Sequence, residues 1–142
     1  DPNTALLELS PLAAWGTQDA VGAGIVNVIG VVENTLVAIS GTDMTYRGGW
    51  AKQRSWRKQQ GFYGIVEEKR LPLIRLNESA GADLPRQADL FIQGGASFRD
   101  LTQMSKMGIP TITVAFGPNT ANCFTFMFLP SPTMRGIVAP RR

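Results

Sequence analysis

The sequence contains no histidine and only one cysteine, Cys123, in 142 residues. Without histidine there is no Ser-His-Asp or Cys-His catalysis, no imidazole-ligated zinc and no imidazole proton shuttle. A single cysteine excludes an internal disulfide. Lacking a histidine to activate it, Cys123 reads as a packed or incidental thiol, not a nucleophile. No apolar run reaches the roughly 18 residues needed to span a bilayer. The opening stretch, DPNTALLELSPLAAW, lacks the basic start and apolar centre of a signal peptide. The acidic residues Asp43, Glu78, Asp83, Asp89 and Asp100 show neither paired-acid nor metal-ligand spacing, so turn and cap roles are expected and no metal. Net charge is modest at +3, too little to argue for nucleic acid and compatible with an anionic ligand. Chemistry must therefore run on backbone groups, carboxylates, Lys/Arg or a partner's atoms.

What is present fits one globular domain: 44% hydrophobic and 18% charged residues, with 15 glycines and 9 prolines to make turns. Residues 1–20 read as a loop-rich lead-in with a short amphipathic piece at Leu6, Leu7, Leu9 and Leu12. The apolar, β-branched runs Val21–Val32 and Thr35–Thr42 flank Glu33-Asn34 and predict a β-hairpin. Gly22, Gly24 and Gly30 suggest bulges or close packing within its first strand. They do not make a dinucleotide-binding G-x-G-x-x-G, because no helix opens there. A helix is predicted from Trp50 to about Glu68, basic in its first half, with Phe62, Ile65 and Val66 at helical spacing in its second. The run LPLIRLN predicts a buried strand, followed by a small-residue turn, Ser79–Ala82. Residues Leu84–Ile92 lead to the pair Gly94-Gly95. Phe98, Leu101, Met104 and Met107 then predict a second helix from Ala96, with Gly108 as its C-cap and Pro110 as its stop. The run PTITVAFGP predicts another buried strand ending at Gly117. Helix and strand thus alternate twice, the pattern of βαβ units with a parallel core. The tail from Asn122 has no clear period.

Two features could carry function. The strand-end turns Ser79–Ala82 and Gly117–Asn122 leave the backbone bare where α/β proteins hold ligands, and their N–H groups could stabilise an oxyanion. Either one alone reads first as a tight turn that needs glycine, and two at matching strand ends shift the reading towards a site. The segment Arg47–Lys58 interleaves five basic residues with Trp50 and Trp56. It reads either as a phosphate or nucleic-acid contact or as a solvated helix face.

Four pieces in order resemble one family: LLELSPLAAWG, VGAGIVNVIGVVENTLVAISGTDMTYRGG, NESAGADLPRQADLFIQGGASFRDL and MGIPTITVAFGPNTA. The sequence is similar to the biotin-dependent acyl-CoA carboxylase carboxyltransferases, the β subunits of acetyl-, methylcrotonyl- and propionyl-CoA carboxylase type. The third piece is the most specific. The resemblance spans about Leu6 to Ala121. It implies an α/β, crotonase-like spiral of ββα units, present here as a partial domain. It also implies transfer of carboxylate from carboxybiotin to the α-carbon of an acyl-CoA, with backbone N–H groups holding the enolate oxygen. Biotin would arrive on a biotin carboxylase or carrier partner, with none attached to this chain. A homo-oligomer is implied by the same resemblance, and a cytoplasmic location by it together with the lack of targeting signals; no membrane or nucleic-acid partner is expected, nucleic-acid binding through the Trp-containing basic helix being the last alternative. By the match, Ser79, Ala80, Gly81, Ala82 and Gly117 would border the acyl-CoA pocket. Charge adds Lys52, Arg54, Arg57 and Lys58 as candidates for the CoA phosphates.

Three departures shape the expectation. The family's turn is usually S-G-G-A, and Ala80 replaces its first glycine; if that position needs positive φ, alanine costs about 1 kcal/mol. After G-x-x-T-A the family places the glycine pair of its oxyanion hole, whereas Ala121 is followed here by Asn122 and Cys123. The chain also stops soon afterwards. Residues 1–121 are therefore expected to be part of a carboxyltransferase N-terminal domain, and 122–142 an aberrant or divergent tail. A truncated chain inactive by itself is expected. The alternatives are a non-catalytic acyl-CoA-binding or subunit-associating module, or another crotonase-superfamily enzyme. The last needs a glutamate near the second turn, and residues 117–130 contain none.

Overall fold

The computed structural model describes residues 3–49, 53–79, 87–119 and 134–138. Its centre is a six-stranded sheet whose spatial order is the chain order: β1 (Leu7–Glu8), β2 (Ile25–Val32), β3 (Thr35–Thr42), β4 (Leu73–Ser79), β5 (Thr111–Asn119) and β6 (Met134–Val138). The first three strands are antiparallel, and β3 to β6 are mutually parallel. Helix α1 (Gln53–Lys69) links β3 to β4, and α2 (Gln87–Lys106) links β4 to β5.

The hairpin between β2 and β3 forms at Glu33-Asn34, with φ of 49° and 60°. Two successive left-handed residues match the twist of the flanking strands, as a two-residue hairpin requires. Gly22 and Gly24 are not strand bulges. They lie before β2, in a turn where Gly22, Ala23 and Gly24 all have positive φ.

Each helix hands over to its strand in the same way. At the end of α1, Arg70 is left-handed, and the N–H of Leu71 reaches back to the Val66 carbonyl at 3.1 Å. At the end of α2, Gly108 is left-handed and the N–H of Ile109 reaches back to the Met104 carbonyl at 3.0 Å. Both are the six-to-one closure of a helix C-terminus, with the following apolar residue turned into the core. Proline comes next in both. The Pro72 carbonyl accepts from Ala38 N–H at 2.9 Å, and that of Pro110 from Leu73 N–H at 2.8 Å. A residue that cannot extend a helix thereby opens each parallel strand.

A parallel crossover is right-handed almost without exception. The chain steps the same way twice across the sheet, so both helices fall on one face. Phe62, Tyr63 and Val66 of α1 share a buried cluster with Leu101 and Met104 of α2, and both meet Ala38 and Leu73 of the sheet. Towards the C-terminal ends of the strands this face turns polar: Asn27, Ser40, Asn77, Ser79 and Thr113 are all buried. Ser40 Oγ donates to Gln59 Oε1 at 3.1 Å. The opposite face carries Val28, Ile39, Ile74, Leu76 and Val114, with no helix over it among the described residues.

Further expectations change. Strand β2 begins at Ile25, not Val21, and β5 runs on to Asn119, past Gly117. Helix α2 begins at Gln87, not Ala96, and runs through Gly94-Gly95. Strand β4 extends to Ser79, the first residue of the expected turn. Part of the tail, Met134–Val138, pairs in parallel with β5.

Where α1 and α2 meet, Glu67 lies near Asp100, which also holds Arg99 at 2.7 Å. Burial first, and then the Asp100 charge, push the Glu67 carboxyl above its usual range, while Arg99 opposes. A raised acid favours folding when protonated; that contribution is lost as pH rises through its folded pKa. Glu67→Gln is therefore expected to raise the melting temperature near pH 7, with the gain fading towards about pH 4. A gain equal at both pH values would contradict this.

Candidate functional site at the strand ends

Parallel strands that share one direction bring their C-terminal ends to one rim, where α/β proteins place ligands. Here the rim gathers on two residues, Glu78 and Ser79. The Thr42 hydroxyl, at the end of β3, donates to the Glu78 carbonyl at 2.6 Å and accepts from the Glu78 N–H at 2.9 Å. Ser79 is buried, and its hydroxyl donates to the Gly49 carbonyl at 2.8 Å. Gly49 closes the 3-10 turn Arg47–Gly49, in which all three residues have positive φ. A Cβ there would lie 2.7 Å from the Glu78 carbonyl oxygen and 3.1 Å from Met44 Sδ. Glycine is required on both counts.

The third strand end is a bulge. Asn77 pairs with Ala115, but Ser79 pairs with Asn119, so Glu78 alone faces Phe116, Gly117 and Pro118. Gly117 adopts φ +66°, and a Cβ on it would run into the Glu78 carboxylate. Bulges of this kind end a ladder and re-aim the residues beyond it. One carboxylate thus lies against Gly117, which sits within the bulged end of β5 and not in the turn expected there.

The basic segment divides. Lys58 is turned inward: its ammonium donates to the carbonyls of Ile25 at 2.6 Å and Gly22 at 3.1 Å. Ser55 Oγ donates to the Ala23 carbonyl at 2.7 Å, so the first turns of α1 hold the left-handed Gly22–Gly24 turn from beneath. Burial pulls the Lys58 pKa below the ordinary lysine value, with the Glu8 carboxylate opposing. Arg54 is exposed and donates to Asp19 Oδ2 at 2.9 Å, while Tyr46 donates to Asp19 Oδ1 at 3.0 Å. Arg57 is exposed.

Of the residues singled out in the sequence, Ser79 and Gly117 come together at the rim, and Arg54 and Arg57 lie on α1. Lys52, Ala80, Gly81, Ala82, Ala121, Asn122 and Cys123 lie outside the described residues. Sequence reasoning missed Thr42, Gly49 and Glu78. A signal was available in Arg47-Gly48-Gly49 soon after a strand, but nothing in residue spacing reports that Glu78 faces a bulge. No group of three or more potential metal ligands occurs among the described residues. No helix among them is long and apolar enough to cross a membrane.

A mixed α/β sheet with a glycine-bearing rim is the setting in which similarity to known proteins becomes specific. The chain belongs to the carboxyl transferase domain family, whose description matches residues 7–129. It is 48% identical over 121 residues to a probable biotin-dependent acyl-coenzyme A carboxylase beta2 subunit of Mycobacterium tuberculosis, covering 85% of this chain and 23% of that one. It is 38% identical over 127 residues to a probable mitochondrial methylcrotonoyl-CoA carboxylase beta chain of Drosophila melanogaster, covering 85% and 22%. Among solved structures, the beta subunit of P. aeruginosa geranyl-CoA carboxylase superposes with a TM-score of 0.74 at 33% identity, covering 80% of this chain and 22% of that one. The chain thus spans less than a quarter of the length of these relatives.

Proposed function

We propose that this chain supplies the acyl-CoA side of a biotin-dependent acyl-CoA carboxylase carboxyltransferase, as part of a crotonase-like spiral of ββα units. The observation that carries the reading is the rim itself: three parallel strand ends drawn onto Glu78-Ser79, with left-handed glycines at Gly49 and Gly117, in a chain of the carboxyl transferase family. In this reading residues 1–121 are part of the N-terminal carboxyltransferase domain and 122–142 a divergent end. The setting is a cytoplasmic homo-oligomer that works with a biotin-carrying partner. Carboxybiotin, when presented by that partner, supplies the activated carboxyl group.

The chain's own residues bind and orient the acyl thioester. In this reading Ser79 and its neighbours Ala80, Gly81 and Ala82 border the thioester, and residues from Gly117 onward supply the N–H groups for an enolate oxygen, a role requiring no histidine. Of the basic residues, Lys52, Arg54 and Arg57 are the phosphate candidates, Arg54 sharing its exposed guanidinium between a phosphate and Asp19. Lys58 contributes by holding the loop before β2, because its ammonium is already engaged by two carbonyls. In sequence, Ala121 is followed by Asn122 and Cys123, where side chains replace the family's glycine pair. Binding without turnover is therefore expected of this chain.

Calorimetry with CoA tests the reading, alongside carboxyl transfer from carboxybiotin to acetyl- or propionyl-CoA. CoA is expected to bind, and Arg54→Ala and Arg57→Ala each to weaken it by about twofold to fivefold, the effect of an exposed charge pair. A folded chain that takes up no CoA sinks the reading. Robust turnover would refute the expectation of an inactive chain.

A further inference from the structure

We propose that Glu78 is a positioning residue for the acyl end of the substrate: its carboxylate is the seat on which the Gly117 bulge rests. The inference deepens the acyl-CoA reading and rests on it. Three observations converge on this side chain. The ladder between β4 and β5 skips at Glu78, so that one residue faces three. Gly117 stands at the middle of those three in a left-handed conformation, with the Glu78 carboxylate filling the space a Cβ would need. Glu78 itself cannot drift, because both its N–H and its carbonyl are held by the Thr42 hydroxyl. Its carbonyl also meets the face of Gly49.

A bulge two residues longer than its partner is out of register with the ladder, so the group packed behind it helps decide where its peptide groups point. The Glu78 side chain lies behind it here. Its removal leaves β4, β5 and the helix-side core in place while the Gly117 backbone loses its support. The chain's grip on the CoA nucleotide, which the reading places on α1, is then unaffected. What changes is the aim of backbone groups near a thioester carbonyl. The contact is one of shape, so Glu78→Gln, which keeps the length and planar end, preserves it, and Glu78→Ala does not.

The test compares the affinity of the full chain for CoA and for propionyl-CoA by calorimetry, in the wild-type protein, Glu78→Gln and Glu78→Ala, with thermal melts as the check on folding. The wild type is expected to prefer propionyl-CoA. Glu78→Ala is expected to lose about fivefold of that preference, the effect of one hydrogen bond that no longer reaches. Glu78→Gln is expected to retain it, and all three proteins to bind free CoA alike. A merely structural role would weaken both ligands together, and that result overturns the proposal. So does an unchanged preference in Glu78→Ala, or a wild type that binds the two ligands equally. A folded wild type that binds neither ligand overturns the acyl-CoA reading along with it. Stability supplies a second measurement. Gly117→Ala is expected to be less destabilising in a Glu78→Gly background than in the wild type, and additive losses would refute the contact.

Discussion

Leu73→Ala is expected to remove about 2–5 kcal/mol of folding stability, a large part of what a domain of this size possesses. Leu73 is the fully buried residue at which sheet and both helices meet. It pairs with Ala38 on one side and Thr111 on the other, and its N–H is taken by the Pro110 carbonyl. Neither neighbouring strand offers a side chain long enough to fill the space, since alanine and threonine flank it. The hole would persist between Phe62, Val66 and Met104, so the loss belongs at the upper end of the range. Urea denaturation monitored by circular dichroism gives the number; a shift below about 1 kcal/mol would show that the core closes over the gap.

Gly49→Ala is expected to cost about 2–4 kcal/mol and to disable the rim as well. Two penalties add at this position. The left-handed backbone disfavours any side chain, and the new methyl group meets the Glu78 carbonyl, which is backbone and cannot swing aside. The chain's relief would be to withdraw the 3-10 turn from β4, breaking the Ser79 hydroxyl bond to the Gly49 carbonyl. Binding of propionyl-CoA is thus expected to fall even at temperatures where the variant stays folded, a loss Leu73→Ala shares only in proportion to its unfolded fraction. Gly61→Ala is the control. It lies mid-helix with open space around it, and there alanine should stabilise by roughly 0.5–1 kcal/mol. Equal effects at the two positions would remove the argument from Gly49.

Where local chemistry and tertiary packing agree, the sequence is readable. The hairpin at Glu33-Asn34 joins two β-branched runs through a left-handed turn, and the parallel strands are announced by helix stops written as Arg70-Leu71-Pro72 and Gly108-Ile109-Pro110. Where packing overrides propensity, it is not. Helix α2 carries on through Gly94-Gly95, each residue worth about 1 kcal/mol against a helix. Its later turns bury Leu101 and Met104, and their packing holds the whole element. By spacing alone Glu78 is one of several unpaired acids, because the skip that brings it against Gly117 arises from pairing between strands more than thirty residues apart. Lys58 resembles its basic neighbours on the same helix. Only the fold shows that its ammonium answers carbonyls at Gly22 and Ile25, on either side of the left-handed turn.

The strand order, identical to the order of the chain, gives the rim a property of its own. Position along it is a linear transcript of position in the sequence: the ends of β3, β4 and β5 succeed one another in space as they do in time of synthesis. Each strand therefore hands its end only to its predecessor and its successor. Among the described residues, Glu78 and Ser79 at the end of β4 touch both neighbours, Thr42 and Gly49 on one side and Gly117 and Asn119 on the other. A change at the end of β3 or in the β5 bulge is therefore met first by Glu78 and Ser79.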